Sequence, residues 1–416
     1  MRILWFTNTP SNYKVEKAGY NGGGWISSLE NEIKKQENIE LAISFILPNE
    51  EFKITQDNVT YYPISLSIPN KFSVLKRIVS ESEELKENID KYIEVVNDFE
   101  PDIIEIFGSE QSFGLISKYI NLPIVLHIQG IINPSYNAYL PPFFSWESVI
   151  FHNVNPCNIL REYLNRKRWK IQSKQEVEIL RNIKYYIGRT TWDQRVINIF
   201  NQSCSYFYGS EILRDVFYQS GYRNIPDKLI IITTISNPLY KGFDLILKTA
   251  QIMKEQLKLD FVWEVFGNIT PYYVEKQIDI KCNHVNVKLM GVAQADIIKK
   301  EILSCTCFFH SSYIDNSPNS ICEAQILGCP VISTNVGGIS SLITDNLTGF
   351  LIPSNDPYQA AYLIKLLYSD RMLNERIGKE AKEIASKRHN KQNIVKELID
   401  VYNQIKCEKN DAQEDI

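Results

Sequence analysis

The feature that most constrains the fold is a regular alternation of short apolar runs with longer helical patterns. In the first half of the chain, apolar runs at 103–107, 124–128 and 185–188 alternate with segments 74–97 and 159–182, whose apolar residues recur at helical spacing. Strands that alternate with helices pair in parallel, and the helices then cover the faces of the sheet. The alternation therefore predicts an α/β fold.

A second series of apolar runs follows and predicts a second domain. It consists of the runs 228–235, 261–267, 287–289, 307–310, 331–334 and 349–352. A chain of 416 residues is too long for one hydrophobic core. We predict two Rossmann-like parallel-sheet domains facing a cleft, because ligands of such sheets bind at the carboxyl ends of their strands.

The domain boundary is expected within 211–227, where Gly221 and Pro226 interrupt the chain. We assign 1–215 to the first domain and 216–390 to the second. The remaining residues, 391–416, are predicted to form a C-terminal helix, with packing back onto the first domain as one option, and a frayed acidic tail.

Composition excludes several classes of protein. The net charge of −4 gives no general case for nucleic-acid binding, and the eight cysteines lack the paired spacing of a zinc or redox site. No apolar stretch approaches the roughly 20 residues of a membrane span, and the N-terminal run lacks the length and cleavage site of a signal peptide. We expect a cytoplasmic protein that reaches a membrane only from its surface.

The most informative segment runs from residue 307 to residue 324. A strand is predicted to end near His310, and Ser317 followed by Pro318 is typical of a helix start, with a capping hydroxyl and a proline in the first turn. The backbone amides of Asn319 and Ser320 would then point into the cleft. Such a helix N-terminus favours an anion.

Two carboxylates flank this predicted anion site. Asp315 lies just before the helix and Glu323 about one and a half turns inside it. Carboxylates accept hydrogen bonds from hydroxyl groups, whereas a phosphate needs amides. A sugar nucleotide has both kinds of group. The alternative is a capped helix carrying two solvated acids.

A lysine in another loop adds positive charge to the cleft. Lys241 follows the strand at 228–235 and precedes a helical pattern. An ammonium group there could neutralise a departing diphosphate. The alternative is an ordinary surface lysine.

Glycines mark three further loops. Gly267 and Gly291 end strands and would let the backbone approach a flat ligand, and the run 22–24 follows the first strand, where its amides could contact a diphosphate. The run lacks the spacing of a dinucleotide-binding fingerprint. An ordinary mobile loop is the alternative for it.

A histidine ends one strand of the first domain. His127 is expected to project toward the cleft, with Glu105 and Glu110 as weaker candidates for sugar or acceptor contacts. The alternative is a hydrogen-bonded core histidine.

Two neighbouring segments have less specific patterns. Residues 131–146 are rich in aromatics and prolines, which suits either a packed lid or a surface for a sugar or lipid acceptor. Residues 161–174 carry six basic residues against Glu162 alone, which suits either an anionic membrane surface or a solvated helix face.

The segment 307–338 resembles the retaining glycosyltransferases of family 4. That family carries two glutamates separated by seven residues, where this chain has Asp315 and Glu323. The resemblance implies that Glu323 binds the ribose, that Asp315 binds the transferred sugar, and that His127 lies beside it. Lys241 would act on the leaving group, and Ser236 stands where similar enzymes usually have an arginine. The implied nucleotide-sugar-binding set is Glu323, Gly23, Gly24, Ser236, Gly267, Asn268, Gly291, Val292, Asn319, Ser320 and Ile321.

The same resemblance implies a GT-B fold and a metal-independent reaction that retains anomeric configuration. No cofactor is expected. The donor would be a nucleotide diphosphate-sugar, with UDP favoured, and the acceptor a saccharide or lipid-linked saccharide, as in cell-surface polysaccharide synthesis. Two alternatives stay open: a sugar-nucleotide epimerase of related fold, and a non-catalytic protein that binds sugar nucleotides.

Overall fold

The computed structural model describes residues 1–13, 24–48, 53–65, 81–153, 155–219 and 221–414. The strands are β1 (Arg2–Thr7), β2 (Glu40–Ile46), β3 (Ile54–Gln56), β4 (Val59–Ile64), β5 (Ile103–Phe107), β6 (Ile124–His127), β7 (Tyr185–Gly188), β8 (Ser205–Tyr208), β9 (Leu229–Thr234), β10 (Phe261–Phe266), β11 (Val287–Gly291), β12 (Cys307–His310), β13 (Val331–Thr334) and β14 (Phe350–Ile352). The α-helices are α1 (Gly24–Ile33), α2 (Glu81–Phe99), α3 (Ile132–Asn137), α4 (Trp146–Ile150), α5 (Pro156–Asn182), α6 (Thr191–Phe200), α7 (Phe243–Glu255), α8 (Tyr272–Ile278), α9 (Ala295–Leu303), α10 (Asn319–Ile326), α11 (Pro357–Ser369), α12 (Arg371–Arg388) and α13 (Lys391–Glu414).

The strands form two sheets. The first has the order β3-β4-β2-β1-β5-β6-β7-β8 and the second β11-β10-β9-β12-β13-β14. All neighbouring strands pair in parallel except β3 with β4. Central strands such as β1 and β5 are buried along nearly their whole length because helices cover both faces of the sheet. The predicted fold of two parallel-sheet domains is confirmed.

Sequence patterns missed the edges of the first sheet. The hairpin of β3 and β4 turns at Asp57 and Asn58, which both have positive φ angles, and the short strand β3 is exposed. The strand β8 at the opposite edge is only partly buried. An edge strand has one unpaired side and little buried surface, so it lacks the continuous apolar run of a central strand.

Two predicted helices differ in extent from the observed ones. The described part of the helix predicted at 74–97 is α2, and residues 74–80 lie outside the described residues. The C-terminal helix α13 continues to Glu414, whereas the sequence predicts that part of 391–416 forms a frayed acidic tail. The last turns of this helix are polar and lack apolar residues at helical spacing, so a sequence pattern does not show where the helix ends.

The chain crosses from one domain to the other between β8 and β9. Ile212 packs in a core of the first domain, and the next residue, Leu213, packs in a core of the second. The C-terminal helix α13 packs against the first sheet, where the Trp5 indole donates a hydrogen bond to the Tyr402 hydroxyl (3.2 Å). Within the described part of the chain, no helix is both long and apolar enough to cross a membrane.

Candidate active site between the two domains

The ends of strands from both sheets face a cavity of about 770 Å³. Its lining includes residues that lie one or two positions after β1, β6 and β7 in the first domain and after β9, β10 and β11 in the second. The predicted site residues that line it are Gly24, Ser236, Lys241, Gly267, Val292, Asp315, Asn319, Ser320 and Glu323. Gly23 lies outside the described residues. Two separate sequence segments of the second domain, around Lys241 and around Asp315, therefore meet in one cavity.

Lys241 and Asp315 are direct partners. The Lys241 ammonium donates to Asp315 Oδ2 (2.5 Å), and the two side chains are only 16% and 14% exposed. Gly242 allows this approach because its φ is +71° and a Cβ atom there would lie 2.0 Å from the Ser311 carbonyl oxygen. The Ser311 hydroxyl also donates to the Lys241 carbonyl (2.7 Å), which ties the two loops together.

His310 completes this charged cluster. Its Nε2 lies 3.0 Å from Asp315 Oδ2, and its side chain lines the cavity. Burial opposes ionisation of Asp315, but Lys241 and His310 outweigh it and hold the pKa of Asp315 well below its usual range. Burial lowers the pKa of His310, and for Lys241 the attraction of Asp315 outweighs burial and raises the pKa. At neutral pH the cluster therefore contains an ionised pair beside a neutral imidazole.

The helix α10 begins at the cavity. Asn319 and Ser320 form its first turn and line the cavity, where helix amides have no intrahelical carbonyl partner. The predicted cap was wrong: Pro318 is the N-cap residue, and the Ser317 hydroxyl instead donates to the buried carboxylate of Glu211 (3.3 Å). A buried carboxylate needs hydrogen-bond donors, and the hydroxyl supplies one.

Glu323 faces an arginine that sequence reasoning missed. Arg214 Nε and Nη2 donate to Glu323 Oε1 and Oε2 (2.7 and 2.8 Å), which forms a bidentate pair. Burial raises the pKa of Glu323, and Arg214 partly offsets this shift. The stem of Arg214 packs on Gly24, where a Cβ atom would lie 2.9 Å from its Cγ and Cδ atoms. Arg214 lies in the irregular connection after β8, so no periodic pattern marked it.

A second missed arginine lines the floor of the cavity. The Arg189 guanidinium lies 4.3 Å from the centre of the Trp25 ring, and its Nε lies 3.5 Å from Glu211 Oε2. Glu211 is buried, but Arg189 and His389 outweigh burial and lower its pKa to about 2. Arg189 is the first residue after β7, a position that a strand-end argument could have identified.

One buried cluster has side chains of metal-ligand type. Glu211, Cys322 and His389 place ligand atoms within 4.8 Å of one another, but none of the three lines the cavity. Burial raises the pKa of the Cys322 thiol well above its usual value, so the thiol keeps its proton. Arg189 already neutralises the Glu211 carboxylate. Among the described residues this cluster is better explained by the Arg189–Glu211 ion pair of the first domain than by a metal centre.

His127 is not at the cavity, which corrects the prediction. It is only 3% exposed and lies between the rings of Trp25 and Phe107, with centroids 5.2 and 5.3 Å away. Its Nδ1 lies 2.8 Å from Glu105 Oε1, and Glu105 is itself fully buried and accepts a hydrogen bond from Tyr402. Helix α1 places Trp25 at the cavity in front of His127. The alternative interpretation, a core histidine, is the observed one.

Three predicted nucleotide contacts also lie away from the lining. Ile321 is fully buried in the core and its amide donates to the Pro318 carbonyl (3.0 Å), while the carbonyl of Gly291 accepts from the Gly267 amide (2.8 Å). Asn268 follows Gly267 but does not line the cavity. For Ile321 the backbone amide, and for Gly291 the backbone carbonyl, already has a hydrogen-bond partner within the protein.

The aromatic segment 131–146 and the basic helix α5 form the remaining wall. Tyr139 packs into the core of the second domain and stacks on Trp146, with centroids 5.1 Å apart and planes within 8°. Arg166 lies over the Trp146 ring (5.4 Å). Trp169, also on α5, lines the cavity, as does Glu110, whose pKa burial raises to about 7. The segment is therefore packed as a bridge between the domains.

Residues 220–384 match the family described as glycosyl transferases group 1. This match lies in the second domain and covers less than half of the chain. A stretch of 150 residues is 24% identical to an uncharacterized glycosyltransferase of Methanocaldococcus jannaschii, MJ1178, covering 36% of this chain and 43% of that protein. Another stretch of 96 residues is 32% identical to the capsular polysaccharide biosynthesis glycosyltransferase CapM of Staphylococcus aureus, covering 23% and 25% of the two chains. The matches thus span less than half the length of these curated relatives.

The whole chain is similar in fold to a solved structure, Anabaena Alr3699/HepE in complex with UDP-glucose. The TM-score is 0.66, with 15% sequence identity over 97% of this chain and 100% of that chain. Because the likeness extends over both domains, it supports the predicted GT-B arrangement of two sheets around a cleft. The family match over residues 220–384 supports the predicted glycosyltransferase class.

Proposed function

We propose that this protein transfers a sugar from a nucleotide diphosphate-sugar, with UDP as the preferred nucleotide, to a hydroxyl group of a saccharide or lipid-linked saccharide. The observation that carries the proposal is the meeting of Lys241, Asp315 and Glu323 around the first turn of α10 in one interdomain cavity. Positive charge and helix amides suit the diphosphate, while the carboxylates suit ribose and sugar hydroxyls. The binding of UDP-glucose by the Anabaena protein and the capsule-related name of CapM support this choice of donor and acceptor.

Each of these groups has a role in the proposed reaction. Lys241, with the amides of Asn319 and Ser320, stabilises the negative charge that develops on the departing diphosphate. Asp315 binds a hydroxyl of the transferred sugar, and Glu323 binds the ribose while Arg214 holds its carboxylate in place. The backbone beside Gly267 and Val292 contacts the base. Ser236 lines the cavity next to the diphosphate region, so it contributes a hydroxyl group and no charge there.

The proposed reaction resembles that of family 4, with retention of anomeric configuration. A phosphate oxygen of the leaving group takes the acceptor proton, so no protein nucleophile is needed. Lys241 supplies the positive charge that a metal ion would otherwise provide. We place the reaction in the cytoplasm, and at the inner face of the membrane when the acceptor is lipid-linked.

The proposal is tested with a panel of UDP-, GDP- and ADP-sugars in the presence of EDTA. Thermal unfolding should show stabilisation by UDP at about 100 times its dissociation constant, equivalent to about 2.7 kcal/mol. Release of UDP should require an acceptor saccharide, and proton NMR of the product should show the donor's anomeric configuration. The proposal is overturned if none of these nucleotides stabilises the protein, or if UDP binds only when magnesium is added.

A sugar-nucleotide epimerase is the second candidate, because His310 and Asp315 place a neutral imidazole and a carboxylate side by side at the cavity. Such a pair could move a proton at a sugar carbon. Conversion of the UDP-sugar to an isomer without any acceptor would favour the epimerase. Tight UDP binding without turnover would favour a non-catalytic binding protein.

A further inference from the structure

A tryptophan of the first domain and a tyrosine of the second meet at the wall of the cavity. The rings of Trp169 and Tyr240 have centroids 6.3 Å apart, and both residues line the cavity. The Lys241 ammonium lies 5.4 Å from the centre of the Tyr240 ring. The aromatic surface is therefore next to the Lys241–Asp315 pair, on the side formed by the first domain.

The packing around Trp169 holds it in place. Its ring stacks near that of Tyr136, with planes within 12° and centroids 6.4 Å apart, and contacts Tyr139 at 5.1 Å. The helix that carries Tyr136, α3, is held on α5 by the fully buried Glu176, which accepts hydrogen bonds from the amides of Ile132 and Asn133 (2.7 Å each). An aromatic ring held this firmly loses little entropy when it binds a ligand.

Groups that can hydrogen-bond a sugar hydroxyl lie beside this surface. The Glu110 carboxylate lines the cavity, and its backbone carbonyl accepts a hydrogen bond from Gln172, which lies about one helical turn after Trp169 on α5 (2.9 Å). The buried atoms Gln129 Nε2 and Ser11 Oγ line the same cavity and have no hydrogen-bond partner among the described residues. Buried polar atoms are normally paired, and a hydroxyl group of a ligand in the cavity would supply a partner for each of these two.

The chemistry of this wall points to a neutral, hydroxyl-rich ligand. Glu110 is the only charged residue among the described lining residues 9–13, 110, 129–135 and 169. Burial raises the pKa of Glu110 to about 7, so the group is only partly ionised at neutral pH, and in either protonation state it can hydrogen-bond a sugar hydroxyl. The carbon face of a pyranose ring can pack against an indole, as apolar groups generally do.

We propose that this wall is the acceptor subsite, in which Trp169 packs against a neutral sugar ring and Glu110 accepts hydrogen bonds from its hydroxyl groups. The assignment rests on the proposed function for the direction of transfer, since it places the acceptor on the first-domain side of the donor. It identifies the acceptor's terminal unit as an uncharged pyranose. A sugar phosphate or a bare lipid phosphate would find no basic side chain among the described lining residues 9–13, 110, 129–135 and 169.

The test uses methyl glycosides of glucose, galactose, mannose and N-acetylglucosamine as acceptor probes, with UDP release as the assay. The variants are Trp169→Ala, Trp169→Phe and Glu110→Gln, and Tyr119→Ala serves as control because Tyr119 is 60% exposed on the same domain. Trp169→Ala should raise the KM for the best glycoside about tenfold, the loss expected for one aromatic contact. Trp169→Phe should recover most of this loss, and the dissociation constant of UDP should stay within about twofold throughout.

A second readout separates this inference from the proposed function. Saturation-transfer NMR with the same glycosides reports binding even when no UDP-sugar is turned over, so failure of the transfer assay in the wild-type protein leaves the subsite testable. Saturation transfer that is present in the wild type and lost in Trp169→Ala supports the subsite. The subsite is refuted if Trp169→Ala leaves both glycoside binding and acceptor KM unchanged, or if it weakens UDP and glycoside equally.

Discussion

Replacing Lys241 with alanine separates the structural role of the Lys241–Asp315 pair from its proposed chemical role. The pair joins atoms 2.5 Å apart in side chains that are 16% and 14% exposed. The substitution removes the cation beside Asp315 and leaves it with His310, the Ser312 hydroxyl and the Asn316 amide. Removing one partner of a buried pair costs about 3 to 5 kcal/mol. Because both side chains retain some solvent contact, we expect a loss of about 3 kcal/mol in the free energy of unfolding.

The double variant Lys241→Ala/Asp315→Asn should recover most of this stability. Asparagine occupies the same space without a charge, so no buried carboxylate is left unpaired. The transfer activity of the double variant should not recover together with its stability. Loss of one preorganised cation from a developing anion lowers the rate about 100- to 1000-fold, and this loss should persist in the double variant at saturating donor.

The measurements are urea denaturation at neutral pH and steady-state UDP release. Lys254→Ala serves as the matched control, since Lys254 is an exposed lysine of the same domain. The reasoning fails if Lys241→Ala keeps near-normal turnover while folded. It also fails if the double variant recovers stability and activity together, because the lysine would then act only by neutralising Asp315.

Three further predictions concern other parts of the molecule. Glu323→Ala should weaken UDP binding by calorimetry, since a charged hydrogen bond is worth about 1.5 to 3 kcal/mol, and unchanged affinity in a folded variant would remove Glu323 from the site. Glu211 has a pKa lowered from 4.5 to about 2, so its contribution to stability is present above pH 4.5 and is lost as the pH falls toward 2. In denaturation experiments, Glu211→Gln should therefore lower the free energy of unfolding by about 3 kcal/mol at pH 7 and by much less near pH 2. An equal loss of stability at both pH values would contradict the ion pair with Arg189. Changing the exposed Arg168, Lys170 and Lys174 to glutamine should reduce co-sedimentation with phosphatidylserine vesicles, because each cation contributes about 1 kcal/mol to the free energy of membrane binding. Transfer to a soluble acceptor should be unaltered. Equal sedimentation of the variant and the wild type would exclude membrane contact through α5.

Two histidines show how far strand-end reasoning reaches. His127 and His310 each end a strand of a parallel sheet, so sequence patterns treat them alike. In the first domain Trp25 lies between His127 and the cavity, whereas His310 lines the cavity beside Asp315. Whether the histidine reaches the cavity depends on the side chain that a neighbouring helix places over the end of the strand. No local pattern carries that information.

The arginines of the site show a second limit. Arg189 pairs with Glu211 of its own domain, whereas Arg214, in the connection after β8, pairs with Glu323 of the second domain. Residue types and spacing identified Glu323 as a site carboxylate but not its partner, which lies 109 positions away. Charge pairs between distant segments depend on how two domains meet, and neither segment alone encodes that contact.

Local patterns alone therefore determine the class of fold, the order of the central strands along the chain, and the loops that carry Lys241, Asp315 and Glu323. They do so because buried strands and amphipathic helices leave a periodic apolar signal, and because parallel sheets gather their loops at one edge. Only the tertiary structure decides which of those side chains meet. It pairs Lys241 with Asp315, buries His127 and Ile321, and brings Trp169 of one domain to Tyr240 of the other, because packing between domains follows the shapes of whole surfaces.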